Sequence, residues 1–522
     1  MRRSVLLVTT LFALVAAVLV GVGCGDDEGS KGSSGGSGAK ASLAVAVPGD
    51  SLAFGEISLR PSGAVKQNAL SVLGKLLDKP SSEVEAYLRK QIAEQDDAAE
   101  FAKVEKLIGN KVGFAITEMP LKEGEDPGVV VVAETPDPDG LIASAKKETP
   151  KAVDRSYNGI NYMVDEDETA LGIVDGRAFF GTTEQVFKNA VDKVKGGNTL
   201  DKQQRFTETL DKLSGDPLGV VWIDGKKAFE GIAKFANSES DKQALEFYRG
   251  QIGGGDLRAA VGLTVPNGTS VALDAAVLGA KQSDGDSEVG DLIEALPGDA
   301  WAAFGAANFG KSIEDGLDQL GSLGTDGADV KAEIAKFEQQ LGIDLRKDFL
   351  SWMGDVALFV RGSDMETIGG ALIAKSTDPA KSKQAVTTLG RIAGQAGQQV
   401  QKANVSGGEG IKLEQDGIAL VVAAKDDRFV VAVSEKAAQD ALSGSSKLED
   451  APGFSAAEDA LDDFDPMLFL DFPGAAAVLE SFAGDDPDAK EAAKVMKRLS
   501  ALVIGADSDG DVQRAKVLLT TK

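Results

Sequence analysis

Ala259-Ala260-Val261-Gly262-Leu263-Thr264-Val265-Pro266-Asn267-Gly268-Thr269-Ser270-Val271-Ala272-Leu273-Asp274-Ala275-Ala276-Val277-Leu278 is the stretch from which the fold can be read. Two apolar runs, 259–265 and 270–278, flank Pro-Asn-Gly-Thr. Asn-Gly between such runs is a hairpin signal, because both residues tolerate the positive φ that a tight turn demands. Two neighbouring antiparallel strands are therefore expected. Outward from this hairpin, the apolar pattern predicts strands at 52–59, 112–117, 129–134, 162–164, 170–174 and 178–181, the last three separated only by turn residues. Helical periods fall at 64–77, 82–94 and 98–108. Strands grouped in hairpins, with helices inserted between the groups, specify an α+β fold rather than a βαβ rhythm. The expected domain is a curved, mostly antiparallel sheet with helices packed on one face.

The same landmarks recur about 250 residues later, in the same order. Val47-Pro48-Gly49-Asp50 matches Leu296-Pro297-Gly298-Asp299, and Asp137-Pro138 matches Asp378-Pro379. Gly159-Ile160 matches Gly410-Ile411, Asp175-Gly176-Arg177 matches Asp426-Asp427-Arg428, and Thr183-Glu184 matches Ser434-Glu435. Phe206 with Asp216-Pro217 matches Phe454 with Asp465-Pro466. Two tandem α+β copies are expected, at 44–279 and 291–522, joined by a Ser/Asp/Gly-rich linker at 280–290.

The amino end carries an address. Arg2 and Arg3 precede an apolar run at 5–22 and the pair Gly23-Cys24, the shape of a lipoprotein-type signal peptide over 1–23. Gly21 stands where such signals usually carry Leu. The expectation is lipid attachment at Cys24, palmitate included, which holds the chain to the cell membrane outside the cytoplasm; each buried methylene contributes about 0.8 kcal/mol, and stable anchoring takes two acyl chains. The alternative is a retained apolar helix, since 18 residues is the lower edge of a bilayer span. Residues 24–43, acidic and then Gly/Ser-rich, read as a flexible tether.

Composition excludes whole classes of chemistry. The net charge of −27 argues against nucleic acid as a partner, because binding phosphates needs clusters of Lys and Arg. With no histidine in 522 residues, the usual general base, the orienter of Ser and Cys nucleophiles and the commonest metal ligand are all missing. The single cysteine precludes a disulfide within the chain. No catalytic residue, metal ligand or cofactor site is expected.

Individual motifs read as structure first. Asp507-Ser508-Asp509-Gly510-Asp511 resembles a calcium loop, but it lacks the glycine at loop position six, has Leu518 at position twelve, and occupies the place of the Asn267-Gly268 turn. Four consecutive acids at 165–168 are expected to form a solvated loop, and the acidic runs at 462–466 and 485–488 to be turns and helix caps. Ser144-Ala145-Lys146-Lys147 has the spacing of a Ser-x-x-Lys nucleophile without its companion motifs, and Gly253-Gly254-Gly255 lacks the Gly-Lys-Ser/Thr of a phosphate loop.

Pro48-Gly49-Asp50-Ser51-Leu52-Ala53-Phe54, followed by the Pro61-Ser62-Gly63 turn, resembles the opening of an uncharacterised bacterial family of exported, membrane-attached proteins, domain of unknown function 3352. The resemblance implies an exported, anchored α+β protein and brings no catalytic residues with it. Two functional expectations follow. One is a non-enzymatic envelope protein that binds a protein or an apolar ligand, in a cavity between sheet and helices. The other is a carboxylate-based hydrolase of cell-wall or surface glycans, since two suitably spaced acids suffice for glycosidic cleavage.

Overall fold

The computed structural model describes residues 41–93, 105–120, 126–233, 256–280, 287–320, 325–364, 366–405, 407–415, 418–444 and 446–522. They form two units, Met1–Lys281 with Ser508–Arg514, and Gln282–Asp507 with Ala515–Lys522. Helices and a large antiparallel sheet make up both.

In the first unit the strands are β1 (Ala53–Ser58), β2 (Lys111–Glu118), β3 (Gly128–Glu134), β4 (Val153–Tyr157), β5 (Ile160–Val164), β6 (Ala170–Val174), β7 (Arg177–Gly181), β8 (Gly219–Ile223), β9 (Arg258–Asn267) and β10 (Ser270–Leu278). Their spatial order is β10-β9-β8-β1-β2-β3-β7-β6-β5-β4, with every pair antiparallel. The expected hairpin forms as β9 and β10, with Asn267 opposite Ser270. Asn158-Gly159 turns β4 into β5 with φ of 51° and 75°, the left-handed pair that a two-residue hairpin loop requires.

The second unit has β11 (Ala300–Ala306), β12 (Met353–Arg361), β13 (Gly369–Ser376), β14 (Val400–Lys402), β15 (Glu409–Gln415), β16 (Ile418–Lys425), β17 (Arg428–Ala432), β18 (Asp465–Asp471), β19 (Leu499–Asp509) and β20 (Val512–Thr521). Its order is β20-β19-β18-β11-β12-β13-β17-β16-β15-β14.

The two Pro-Gly-Asp segments make corresponding backbone bonds. Gly49 N donates to Asn198 O (3.0 Å) and Leu200 N to Val47 O (2.9 Å), while Gly298 N donates to Ser446 O (3.0 Å) and Leu448 N to Leu296 O (2.7 Å). The matched helix starts are capped alike: Thr183 Oγ1 accepts from Val186 N (3.1 Å) and Ser434 Oγ from Ala437 N (3.0 Å).

One side of the first sheet holds the core. Phe206, on the helix Gln204–Leu210, meets Trp222 edge-on at 5.3 Å and Phe54 at 5.7 Å. Phe187, on the helix Glu184–Lys195, stacks on Tyr162 at 4.9 Å. Lining this side, Glu56 is buried in β1; it accepts Ser42 N (3.1 Å) and Leu43 N (2.7 Å) and pairs with Lys111 (2.8 Å).

The single helical layer expected from sequence is not what forms in the second unit. Val421 and Val422 are neighbours on β16 and so face opposite sides. Val422 clusters with Ala385 and Val386 of the helix Pro379–Gln395. The side of Val421 continues in register through Ala432, Ala371, Phe359 and Ala303 to Phe469, which meets Phe454 of the helix Pro452–Glu458 at 5.1 Å. Helices therefore pack on both sides. The reason lies in the strands: Ala419-Leu420-Val421-Val422-Ala423-Ala424 is apolar at consecutive positions, and strands of that composition bury both faces.

Candidate functional site

Among the described residues, the second side of the first sheet is covered only in part. The helix Gly63–Leu77 packs Ala69 and Val72 against Leu218 and Val265 near the β9–β10 turn, where Ser71 Oγ donates to Gly268 O (2.8 Å). Beyond it, strand register aligns apolar residues in cross-strand rows. One row runs Ala275, Val261, Val221, Gly55, Phe114, Val131 from β10 to β3. A second runs Val277, Ala259, Ile223, Ala53, Ile116, Val129, and a third starts Leu273, Leu263, Gly219, Ile57, Val112. The rows carry no charged side chain. Leu273, Val221 and Ile223 are each 42% exposed and Val261 is 40% exposed. The Phe114 ring lies over Gly55, where a Cβ would collide with it, so this glycine lets the ring lie flat on the sheet. Six strands at about 4.8 Å spacing make each row roughly 24 Å long. In the second unit the row Ile504, Leu468, Phe304, Leu358, Leu372 is likewise apolar, with Phe304 49% and Leu358 40% exposed.

On the other side of the first sheet, the space between sheet and helices is filled. Trp222, Phe54, Phe179, Phe187 and Phe206 are fully buried there. The expected cavity is thus occupied by side chains among the described residues. A shallow, polar concavity of about 320 Å³ beside Lys75, Asp78 and Lys79 opens to solvent.

The acid raised furthest belongs to the second unit. Glu458, at the end of Pro452–Glu458, is hydrogen-bonded to Glu294, the last residue of the helix Val289–Glu294. Burial, then the bond to Glu294 and its charge, push the Glu458 carboxyl up to about 7, with Asp459 and Glu449 adding to the shift. Asp465 is raised by burial and by the charges of Asp507 and Asp291. The first unit shows the opposite case: hydrogen bonds from Lys188 and from Tyr162 (2.6 Å) hold the Glu184 carboxyl down at about 2, with Arg155 adding to them. These contacts tie the start of Glu184–Lys195 to β4 and β5.

The motifs singled out from sequence fall as follows. Cys24, the signal segment 1–23, Gly253-Gly254-Gly255 and most of the tether and linker lie outside the described residues. Asp507, Ser508 and Asp509 end β19, and Gly510-Asp511 turns it into β20, with Gly510 at φ 61°. The acids at 165–168 make a tight turn in which Asp165 Oδ1 accepts Asp167 N (3.0 Å) and Thr169 N (2.9 Å). Asp462 pairs with Lys516 (2.6 Å), and Asp486 caps the helix Pro487–Met496. Ser144 and Lys147 sit on the helix Pro138–Glu148, which buries no residue. Among the described residues, no group of three or more acids could hold a metal ion, and no helix is long and apolar enough to cross a membrane. The apolar rows and the Glu294–Glu458 pair were not foreseen. Only the consecutive apolar positions in Val129-Val130-Val131-Val132 and Val220-Val221-Trp222-Ile223 hinted that the second face is apolar too.

Residues 8–521 match the family model described as "Protein of unknown function (DUF3352)". The chain belongs to this family. No curated protein matches it. Among solved structures it is similar to TP0453 in crystal forms III, IV and I, with TM-scores of 0.27, 0.26 and 0.25 at 10% identity. Those likenesses cover 47%, 45% and 47% of this chain and 81%, 79% and 80% of the other. At this level they carry no argument about role.

Proposed function

We propose that the chain is an extracytoplasmic lipoprotein, anchored to the cell membrane through lipidated Cys24, whose folded units bind a partner instead of catalysing a reaction. We further propose that the units are tandem copies of one curved-sheet domain; their identical strand order and the corresponding bonds of the two Pro-Gly-Asp segments support this. The observation that carries the binding role is the half-exposed apolar sheet face around Val221 and Val261. Contiguous apolar surface of this kind marks an interaction site, since it is unfavourable in water. For the anchor, the test is incorporation of radiolabelled palmitate in the parent chain and in Cys24→Ala. Label and membrane retention should both be lost in the variant; equal labelling or equal retention overturns the anchor.

One observation favours hydrolysis of cell-wall or surface glycans as a second reading. Glu458 titrates near 7, where a general acid is useful. The geometry weighs against it, because Glu458 and Glu294 touch, whereas glycosidic cleavage needs carboxyls about 5 Å or more apart. Release of soluble fragments from isolated cell walls, abolished by Glu458→Gln, would establish this reading in place of the first.

A further inference from the structure

We propose that the Glu294 and Glu458 carboxyls form a proton-operated latch on the opening helix of the second unit: while they share a proton they hold Val289–Glu294 down, and when both ionise that helix comes loose while the rest of the unit stays folded. Each unit opens with a short buried helical piece ahead of its Pro-Gly-Asp segment, Ser42–Ala46 in the first and Val289–Glu294 in the second. A buried sheet carboxylate takes the backbone at the start of each: Glu56 accepts Ser42 N and Leu43 N, and Asp355 accepts Glu288 N (2.7 Å). At the far end the two differ. Counting back from the matched Pro-Gly-Asp segments, Glu294 corresponds to Val45; counting on from the matched Phe454 and Phe206, Glu458 corresponds to Leu210. The same fold forms with apolar residues at both positions, so the carboxyl pair is not a requirement of the architecture.

Two touching carboxyls cannot both ionise without repulsion. The charged groups on the elements around them do not relieve it. Asp291 lies on the helix of Glu294, Glu449 and Asp450 on the turn Leu448–Asp450, Asp459 next to Glu458, and Asp465 and Asp471 on β18, which packs against both helices. On β12, Asp355 is taken up by Glu288 N and Asn308 N, and Arg361 by Asp440 (2.7 Å) and Asp299 (3.4 Å). Lys447 feels Glu294 but is bonded to Glu449 (2.6 Å). Burial and the contact with Glu294 hold the Glu458 proton up to about 7, so the latch is closed below that value and opens as pH rises through it. Val289–Glu294 is the piece that gives way. Six residues are too few to stay helical unless docked. Val289 and Ile293 rest on Gly305 of β11, where a Cβ would collide with them. None of the helix belongs to the cluster around Trp352 and Phe429, so that core survives its release.

The test is amide hydrogen exchange of the full chain, read by peptide mass spectrometry and corrected for the pH dependence of intrinsic exchange. Between pH 6 and pH 8.5, protection of 288–296 should fall at least tenfold. Protection of 41–47, the corresponding piece without the carboxyl pair, should hold, as should that of β12 and β13. Glu458→Gln and Glu294→Gln should each abolish the fall, because neither leaves two carboxyls to repel. Thermal melts at pH 6 confirm that the variants fold, and should one fail to, the other carries the comparison. The latch is overturned by protection of 288–296 that stays level in the parent, or by a fall that persists in a folded Gln variant. It is equally overturned by a fall shared with β12 and β13, since the pair would then act on the stability of the whole unit and not on its opening helix.

Discussion

At the scale of single residues, Glu458 makes the chain's stability depend on pH near neutrality. Its carboxyl is raised from 4.5 to about 7, so the native state holds a proton that the unfolded chain releases. Stability from this group is therefore fully present below about 4.5 and falls as pH rises through 7. Glu458→Gln keeps a hydrogen bond to Glu294 without the charge. The variant should match the parent in thermal melts at pH 4.5 and be the more stable at pH 8, by on the order of 1 kcal/mol once solvent screening of a half-buried site is allowed for. Melts that remain parallel across this range would contradict the assignment. Trp222 offers a second test, since its buried indole N–H has no partner. Trp222→Ala should cost about 3–5 kcal/mol in urea denaturation. Trp222→Phe should cost much less, because no hydrogen bond is lost with the indole. Neither the unpaired indole nor the Glu294–Glu458 contact was readable from sequence, because each depends on segments that only the folded chain brings together.

Among the elements, helix starts and tight turns were the most legible. Asp137-Pro138 and Asp378-Pro379 each place a capping carboxylate before a proline that suits the first helical position, and both open helices. Asp378 accepts Ala380 N (3.1 Å) and Lys381 N (3.2 Å), so Asp378→Ala should destabilise by about 0.5–2 kcal/mol in the same denaturation assay, and Asp378→Asn by less. The strands 52–59, 129–134, 170–174 and 270–278 were expected within a residue or two of where they form. Two strands of the first unit were missed. β4 is Val153-Asp154-Arg155-Ser156-Tyr157, exposed nearly throughout at a sheet edge, so it lacks the apolar alternation that marks a strand; only Asn158-Gly159 announced it. β8, Gly219-Val220-Val221-Trp222-Ile223, was readable in composition but stands between helices, away from any hairpin signal.

At the scale of the whole molecule, two units with separate cores predict two unfolding events. Calorimetry should resolve two transitions, with Trp222→Ala lowering one and Trp352→Ala, in the second core, lowering the other. A single transition lowered by both substitutions would contradict this. Composition and local pattern were enough to establish an antiparallel α+β chain, to place its capped helices and tight turns, and to exclude histidine and disulfide chemistry, because periodicity, caps and turn residues act over a few neighbours. Which strands pair, and therefore which apolar positions meet, lay beyond that range. Partners such as β1 and β8 are far apart in sequence, and their register is chosen by how the core packs. That register lines up Val221 with Val261 and Phe114 with Val131 on a face that is only partly covered among the described residues, and helix packing brings Glu458 against Glu294.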